Sequence, residues 1–578
     1  MKRLSLRLPF LLVVVGCGDG MPPSASMRDA NLLINNMISE RWKQEDIRPS
    51  DQSDDYEFIR RLSLDVRGVI PTLDEVRAFA GNTDSHKREE IIDRWLRSKD
   101  FAEYWAYLWL DELLGKNFDL IKVKTLGPPF TGLWWVRDCF EQNMPYDRFV
   151  TKILAPQRDS SASILAYILW STEQSKEIGV RSAKVFLGTQ IQCAECHDHP
   201  FDNWTQQDYK SMVAFFEPTR LMDAAEEDRP LTGISDSTLD REQRLEEEQD
   251  EPKPSPVPKY KATGEGPTQS EPFREAFARL LVNDPQFARA TVNRHWGLLM
   301  GRGLVHPLDG FTADNPPSHP ALLDALAKDF VASDFDVRRL IKSILMSDAY
   351  QLSSKRAEKT PRHDRLFAHA LTLPMRWRQL FNSLLRVTGM EVALRMKHKN
   401  APRKIDLCEG LMHQLDASLH SDEVDDPNGI EPTTAQALFF LNAMQVDVGS
   451  RVGEDEEEAA RWRLRPRDSE HQLLSRILKN ESNSDRVIEE LYLSTLSRLP
   501  TQREQTLLQN YLHKDGSVRR GSDNSANVTD TLTAGLQSTA RSSVEEVARS
   551  AERPQFEVRA YEDIFWALIN STEFVTRH

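Results

Sequence analysis

The residues best suited to chemistry lie together in Cys193-Ala194-Glu195-Cys196-His197-Asp198-His199-Pro200-Phe201-Asp202-Asn203-Trp204. Cys-x-x-Cys-His is the spacing of covalent haem attachment, in which two thiols add to the vinyl groups and the histidine ligates iron. With 5 Cys and 14 His in 578 residues, random placement yields this spacing about 0.001 times. The haem reading assigns Cys193 and Cys196 to thioethers and His197 to proximal ligation of haem c. The same side chains admit two other chemistries. Cys193, Cys196, His197 and His199 offer zinc two thiolates and two imidazoles, although zinc sites usually take two separated ligand pairs. A Cys193–Cys196 disulfide, structural or redox-active, suits an oxidising exterior but leaves both histidines without a role.

Three residues are candidates for a sixth iron ligand. His199 is only two residues from His197, and neighbours in one short loop rarely reach opposite faces of an iron. Met212 would raise the potential, yet a helical methionine beside Phe215 and Phe216 also reads as core. His319 opens a helix within a proline-rich loop, where capping is its simpler role. Asp198 and Asp202 can orient His197 or His199 by accepting hydrogen bonds, or can cap the turn around Pro200. Asp309, Asp314 and Asn315 lack a partner base or nucleophile and read better as turn residues. No Gly-x-Ser-x-Gly, P-loop or dinucleotide fingerprint occurs, so the sequence assigns no enzymatic activity.

The elements that must position the motif are helices. Val180, Ala183, Leu187 and Ile191 recur at helical spacing and predict a helix running into Cys193. Thr205 with Asp208 three residues on predicts a capped helix leaving the motif, with Trp204 and Tyr209 as its hydrophobic staple. Elsewhere Thr72 and Glu75 form another capping box. Phe101, Trp105, Leu108, Trp109 and Leu113 make an apolar helical stripe of core type. Helical patterns resume near Phe273 and continue through Trp296, Leu322–Phe330, Leu340–Leu345, Arg376–Leu385, Gln436–Met444, Arg486–Leu496 and Tyr561–Ile569. Alternating β patterns are scarce. The expected fold class is mostly α, with two helical domains (30–217 and 273–578) joined by an acidic, Pro-containing linker (218–272). Polar insertions fall near 453–467 and 515–554. Ser98-Lys99-Asp100-Phe101, Ser347-Asp348-Ala349-Tyr350 and Ser571-Thr572-Glu573-Phe574 resemble one another, as do Pro71–Glu75 and Pro500–Glu504, although capping chemistry alone can produce both echoes.

Lys2, Arg3 and Arg7 precede a short apolar run, Leu8–Val15, and then Val14-Val15-Gly16-Cys17. This is the anatomy of a bacterial lipoprotein signal (1–17) with Cys17 as the lipidated residue, followed by a Gly/Pro/Ser-rich tether (18–29). The run is too short for a span, which needs about 20 residues. The expected localisation is export, with a lipid anchor in the membrane of the periplasm or cell surface. A formal charge of −15 without a basic block argues against nucleic acid as a partner. Five cysteines in so long a chain exclude a disulfide-stapled scaffold, and Cys139 and Cys408 have apolar surroundings.

Several segments together resemble the planctomycete-type surface and cytochrome-like proteins that pair domain-of-unknown-function families 1549 and 1553. In the first half they are Arg60-Arg61-Leu62-Ser63-Leu64-Asp65 with Pro71-Thr72, Pro145–Phe149, and Phe186-Leu187-Gly188 leading into the cysteine motif. In the second they are Phe287–Ala290 with Val292-Asn293-Arg294 and Trp296, Gly301–Val305, Asp314–Pro320, Tyr350–Ser354 and Gln436-Ala437-Leu438. This chain has Val66-Arg67-Gly68 where Leu-Thr-Gly is usual, and its stretch from about 390 to 436 is short. The resemblance implies a cytochrome-like first domain and leaves the biochemical role open. Two readings follow: an exported c-type haem protein passing electrons to a redox partner protein, or a non-haem binding or scaffold protein whose motif holds zinc or a disulfide. The latter would assist extracellular polymer degradation. An unrecognised hydrolase is a third class.

Overall fold

A computed structural model describes residues 27–114, 131–156, 174–221, 234–236, 256–355, 360–388, 473–518 and 555–578. Cys17 and the signal, Cys408, the acidic run 246–251, the predicted helix 436–444, the insertion 453–467 and most of 515–554 lie outside them.

The described chain is mostly α-helical. The first half contributes α1 (Met27–Gln44), α2 (Asp55–Arg67), α3 (Leu73–Gly81), α4 (Lys87–Leu96), α5 (Lys99–Leu114), α6 (Thr131–Glu141), α7 (Tyr146–Leu154), α8 (Lys176–Ser182) and α9 (Gln206–Val213). The second contributes α10 (Phe273–Val282), α11 (Pro285–Met300), α12 (Pro320–Ala332), α13 (Val337–Leu345), α14 (Pro361–Arg365), α15 (Trp377–Thr388), α16 (Leu473–Asn480), α17 (Ser484–Thr495), α18 (Gln502–Val518) and α19 (Gln555–Ile569). Two short antiparallel pairs join Thr219–Leu221 to Ile234–Asp236 and Leu373–Pro374 to Thr576–Arg577.

Local chemistry sets the helix ends as the sequence predicts. Thr72 Oγ1 accepts from the Glu75 amide at 3.2 Å while Glu75 returns to the Thr72 amide at 2.8 Å, and Thr205 and Asp208 form the same reciprocal box. Asp336 caps α13 by accepting from the Arg339 amide at 2.9 Å. The serine echo is a recurring local structure. Ser98, Ser347 and Ser571 each donate to the carbonyl three residues back, and each accepts from the amide of the aromatic residue three residues on. That aromatic (Phe101, Tyr350 or Phe574) is then buried.

The aromatic stripe of α5 is core, and one continuous hydrophobic cluster runs from Ile34 to Phe216 and on through Tyr260 to Ala368. The two helical halves therefore pack on each other through a shared interior, with α7 against α10, and α1 against α12 and α13. A second cluster gathers α15–α19 with Leu64 and Ile70. Cys139 is buried in the main cluster. Within the predicted linker, Thr219–Leu221 and Ile234–Asp236 pair, and Tyr260 is buried, its hydroxyl donating to Asp284 at 2.9 Å.

Helix α2 joins the clusters through buried charge. Arg61 pairs with Glu57 at 2.5 Å and donates to the carbonyls of Tyr350 and Leu352. Arg60 donates to the carbonyls of Thr495 and Phe574 at 3.0 and 2.9 Å, holding the end of α17 and the turn after α19. Asp65 takes Arg577 and the Tyr350 hydroxyl.

Candidate functional site

Helix α8 widens into a π-helical turn, Ala183–Leu187, and stops at Gly188, whose φ of 67° is left-handed. The helix predicted to run into the motif therefore ends short of it. The reason is pairing: Thr189 bridges Gly310, the Phe311 amide donates to the Gly188 carbonyl at 3.0 Å, and Gln190 Nε2 donates to Asp309 at 2.9 Å. Gln286 Nε2 holds the Leu187 carbonyl at 2.9 Å. Asn315 braces the same second-half loop by donating to the carbonyls of His306 and Gly310, so Asp309 and Asn315 serve the turn. The approach to the motif is thus built by residues from both halves.

A β-carbon at Gly188 would lie 2.6 Å from the Phe311 ring. Gly188→Ala combines that clash with a left-handed backbone strained for any L side chain, and should cost about 1–3 kcal/mol. Denaturant unfolding checks the loss, and an unchanged midpoint would show that the loop yields freely.

The motif begins with a 3₁₀ turn, Gln192–Glu195, anchored by buried Ile191 and Ala194. Cys193 and Cys196 are both free and exposed at its surface, and His197 is exposed beside them. Gln206, at the start of α9, clamps the turn: its Nε2 donates to the carbonyls of Glu195 and Cys196 at 3.0 and 3.1 Å, and its amide donates to Asp198 Oδ1 at 2.8 Å. Lys176 adds a 2.5 Å ion pair to Glu195. The loop closes where the His199 amide meets the Trp204 carbonyl at 2.7 Å. Trp204 is buried beneath Lys261, whose ammonium lies 5.0 Å from its ring and bonds the Asn203 carbonyl and Asp208.

The two imidazoles differ. His197 Nδ1 lies 2.7 Å from the Asp198 carbonyl; against a carbonyl it must be the protonated nitrogen, which leaves the Nε2 lone pair free. His199 Nδ1 accepts from the Phe201 amide at 3.2 Å, so its lone pair is already engaged. Asp198 and Asp202 bond the backbone amides of Gln206 and Asn203 and cap the loop, while the backbone of Asp198 orients His197. Phe201 stands 76% exposed on the loop. Among the described residues no group of three or more His, Cys, Asp and Glu side chains is arranged to hold a metal ion.

Met212 is buried in the main cluster. His319 is also buried; its Nδ1 lies 3.0 Å from Ser318 Oγ and its ring 5.7 Å from Phe367. Neither presents a ligand atom on the exposed cysteine face. Sequence reasoning missed Gln206, Gln286 and Lys261. Gln206 was open to inference as the first residue of a capped helix; the other two carry no local signal.

Burial pushes the imidazoles of His319 and His295 down to about 4. Unfolded histidine titrates near 6.5, so between these values the unfolded chain binds more protons than the native one. The stability these residues contribute is complete above about pH 6.5 and is lost as pH falls toward 4. Thermal midpoints should drop through that window, and a flat profile would contradict the neutral burial of both rings.

Residues 33–221 match PSCyt2, a protein of unknown function (DUF1549), and residues 273–512 match PSD1, a protein of unknown function (DUF1553). The thiols and His197 thus lie in the first matched segment, and the bracing loop lies in the second. No curated protein and no solved structure matches the chain.

Proposed function

The chain belongs to the proteins that pair the PSCyt2 and PSD1 families, and we propose that it is an exported, lipid-anchored carrier of one covalent c-type haem that passes electrons in the periplasm or at the cell surface. One observation carries this reading: a single clamped turn displays two free, exposed thiols and an imidazole whose Nδ1 is fixed on a backbone carbonyl, with Nε2 available. A carbonyl partner on the second ring nitrogen is the usual way a ligating histidine is oriented. The residues present therefore fit the group: Cys193 and Cys196 would hold it by thioethers, and His197 would ligate its iron. Bound there, the haem supplies a one-electron couple.

The protein's own contribution is positional. Gln206 fixes the carbonyls of the turn, Asp198 ties it to the amino end of α9, and the loop around Asp309 and Phe311 fixes its approach. Zinc is the rival occupant, and the engagement of His199 Nδ1 counts against the four-ligand set. No described helix is long and apolar enough to cross a membrane; in this reading attachment comes from lipid on Cys17.

Expression with a c-haem maturation system tests the proposal. We expect a reduced α-band and a haem-staining band on a denaturing gel. Absence of both, or stoichiometric zinc in elemental analysis, would refute it. Loss of lipid labelling in Cys17→Ala tests the anchor separately.

A further inference from the structure

The segment that leads from α8 into the cysteine turn is laid along the second half almost residue by residue. At the end of the π-helical turn the Gly188 and Thr189 amides both return to the Ala183 carbonyl. They pass over the next two carbonyls, those of Lys184 and Val185, and helix ends leave such groups in need of outside donors. Arg294 of α11 supplies them: Nη2 donates to the Lys184 carbonyl at 3.1 Å and Nε to the Val185 carbonyl at 3.3 Å. Its Nη1 meets Glu112 of α5, and the two side chains are only 3% and 10% exposed. Downstream, Gln286 takes the Leu187 carbonyl, the Phe311 amide takes that of Gly188, and Thr189 bridges Gly310. These partners all belong to the second half, whereas the cysteine turn itself is held by Gln206 and Lys176 of the first.

Within this series Arg294 has the chemistry that is hardest to replace. A guanidinium is a rigid planar fork, able to serve two successive carbonyls and a carboxylate at once. An ammonium in its place is a single point charge. Glu112 balances the charge, because a buried guanidinium without a carboxylate is strongly unfavourable. Neutralising Glu112 alone would not require the fork, and the other two contacts go to the backbone that leads to Cys193. The turn converts that placement into chemistry. Cys193 lies in the 3₁₀ turn and Cys196 ends it, and side chains three apart in this geometry eclipse. Both thiols thus project from one side, and their joint direction follows the path of the chain that enters the turn.

We propose that Arg294 is a positioning residue for the Cys193–Cys196 pair, and that through it the second half governs how the two thiols are presented together. The second half thereby takes a part in the chemistry of the first. The inference rests on the reading of the cysteine turn as the working site, but not on which group the turn carries.

Phenylarsine oxide, whose arsenic bridges two thiols with release of water, tests this on the reduced, haem-free full chain. Wild type should bind it through Cys193 and Cys196, and Cys193→Ala with Cys196→Ala should not; no binding to wild type would overturn the shared presentation. Arg294→Lys keeps a charge for Glu112 and loses the fork. It should bind the arsenical about tenfold more weakly, a usual size for coupling between separate sites, with its circular dichroism unchanged. Wild-type affinity in this variant would overturn the proposal. Hydrogen exchange on the wild type needs no substitution: because coupling is reciprocal, the arsenical should slow exchange in 183–190 and in α11 around Arg294. Protection confined to 192–206 would equally overturn it. Neither measurement involves haem, so a chain that carries none and passes both tests loses only the haem reading.

Discussion

Asp65→Ala should remove about 3–5 kcal/mol of stability, the cost typical of stripping one partner from a buried ion pair. Asp65 Oδ1 and Oδ2 receive Arg577 Nε and Nη2 at 2.7 Å each, and Oδ2 also takes the Tyr350 hydroxyl at 2.8 Å. Both side chains are almost fully buried. Burial disfavours the guanidinium charge, and the Asp65 carboxylate outweighs it, so Arg577 titrates above its ordinary value. Without Asp65 the charge remains inside, facing carbonyl oxygens such as that of Leu299, and the strand pair at Thr576–Arg577 loses its tie to α2. The double substitution Asp65→Leu with Arg577→Met should recover most of the loss, because a well-packed apolar pair often replaces a buried ion pair at little cost. Denaturant midpoints for Asp65→Leu, Arg577→Met and the double variant complete the cycle. A single variant as stable as wild type would show that the pair does not hold the C-terminal segment.

Cys193→Ala with Cys196→Ala should abolish covalent haem entirely while leaving the unfolding midpoint unchanged. Both thiols are exposed and unbonded to each other, and the turn is held by Gln206, Lys176 and Ala194 rather than by sulfur. The histidines should separate. His197→Ala removes the free Nε2 and should alter the visible spectrum even where the thioethers form. His199→Ala should leave the spectrum intact, since its Nδ1 serves the Phe201 amide. Equal effects at both positions would favour a site that uses both imidazoles, as zinc would.

Much of this architecture was legible in the sequence because it rests on local rules. Capping boxes at Thr72 and Thr205 and the apolar stripe of α5 depend on residues three or four apart, and all appear as expected. The motif itself was legible through its spacing. What escaped was non-local. The helix predicted to reach Ile191 stops at Gly188 because a loop more than a hundred residues away pairs with it. Composition suggested that residues 256–272 belong to a solvated linker, yet Tyr260 and Lys261 pack against Asp284 and Trp204. The linker also suggested where one domain yields to the next, but not that the faces of α7 and α10 meet in a common core. The carbonyl that orients His197 likewise has no side-chain signature.

Intact mass spectrometry of the full chain, matured in a host that attaches c-type haem, tests the central claim most directly. The account predicts the polypeptide mass plus one haem, retained under denaturing conditions and absent from Cys193→Ala with Cys196→Ala. The bare polypeptide mass would contradict it, as would a mass lower by the two hydrogens of a Cys193–Cys196 disulfide.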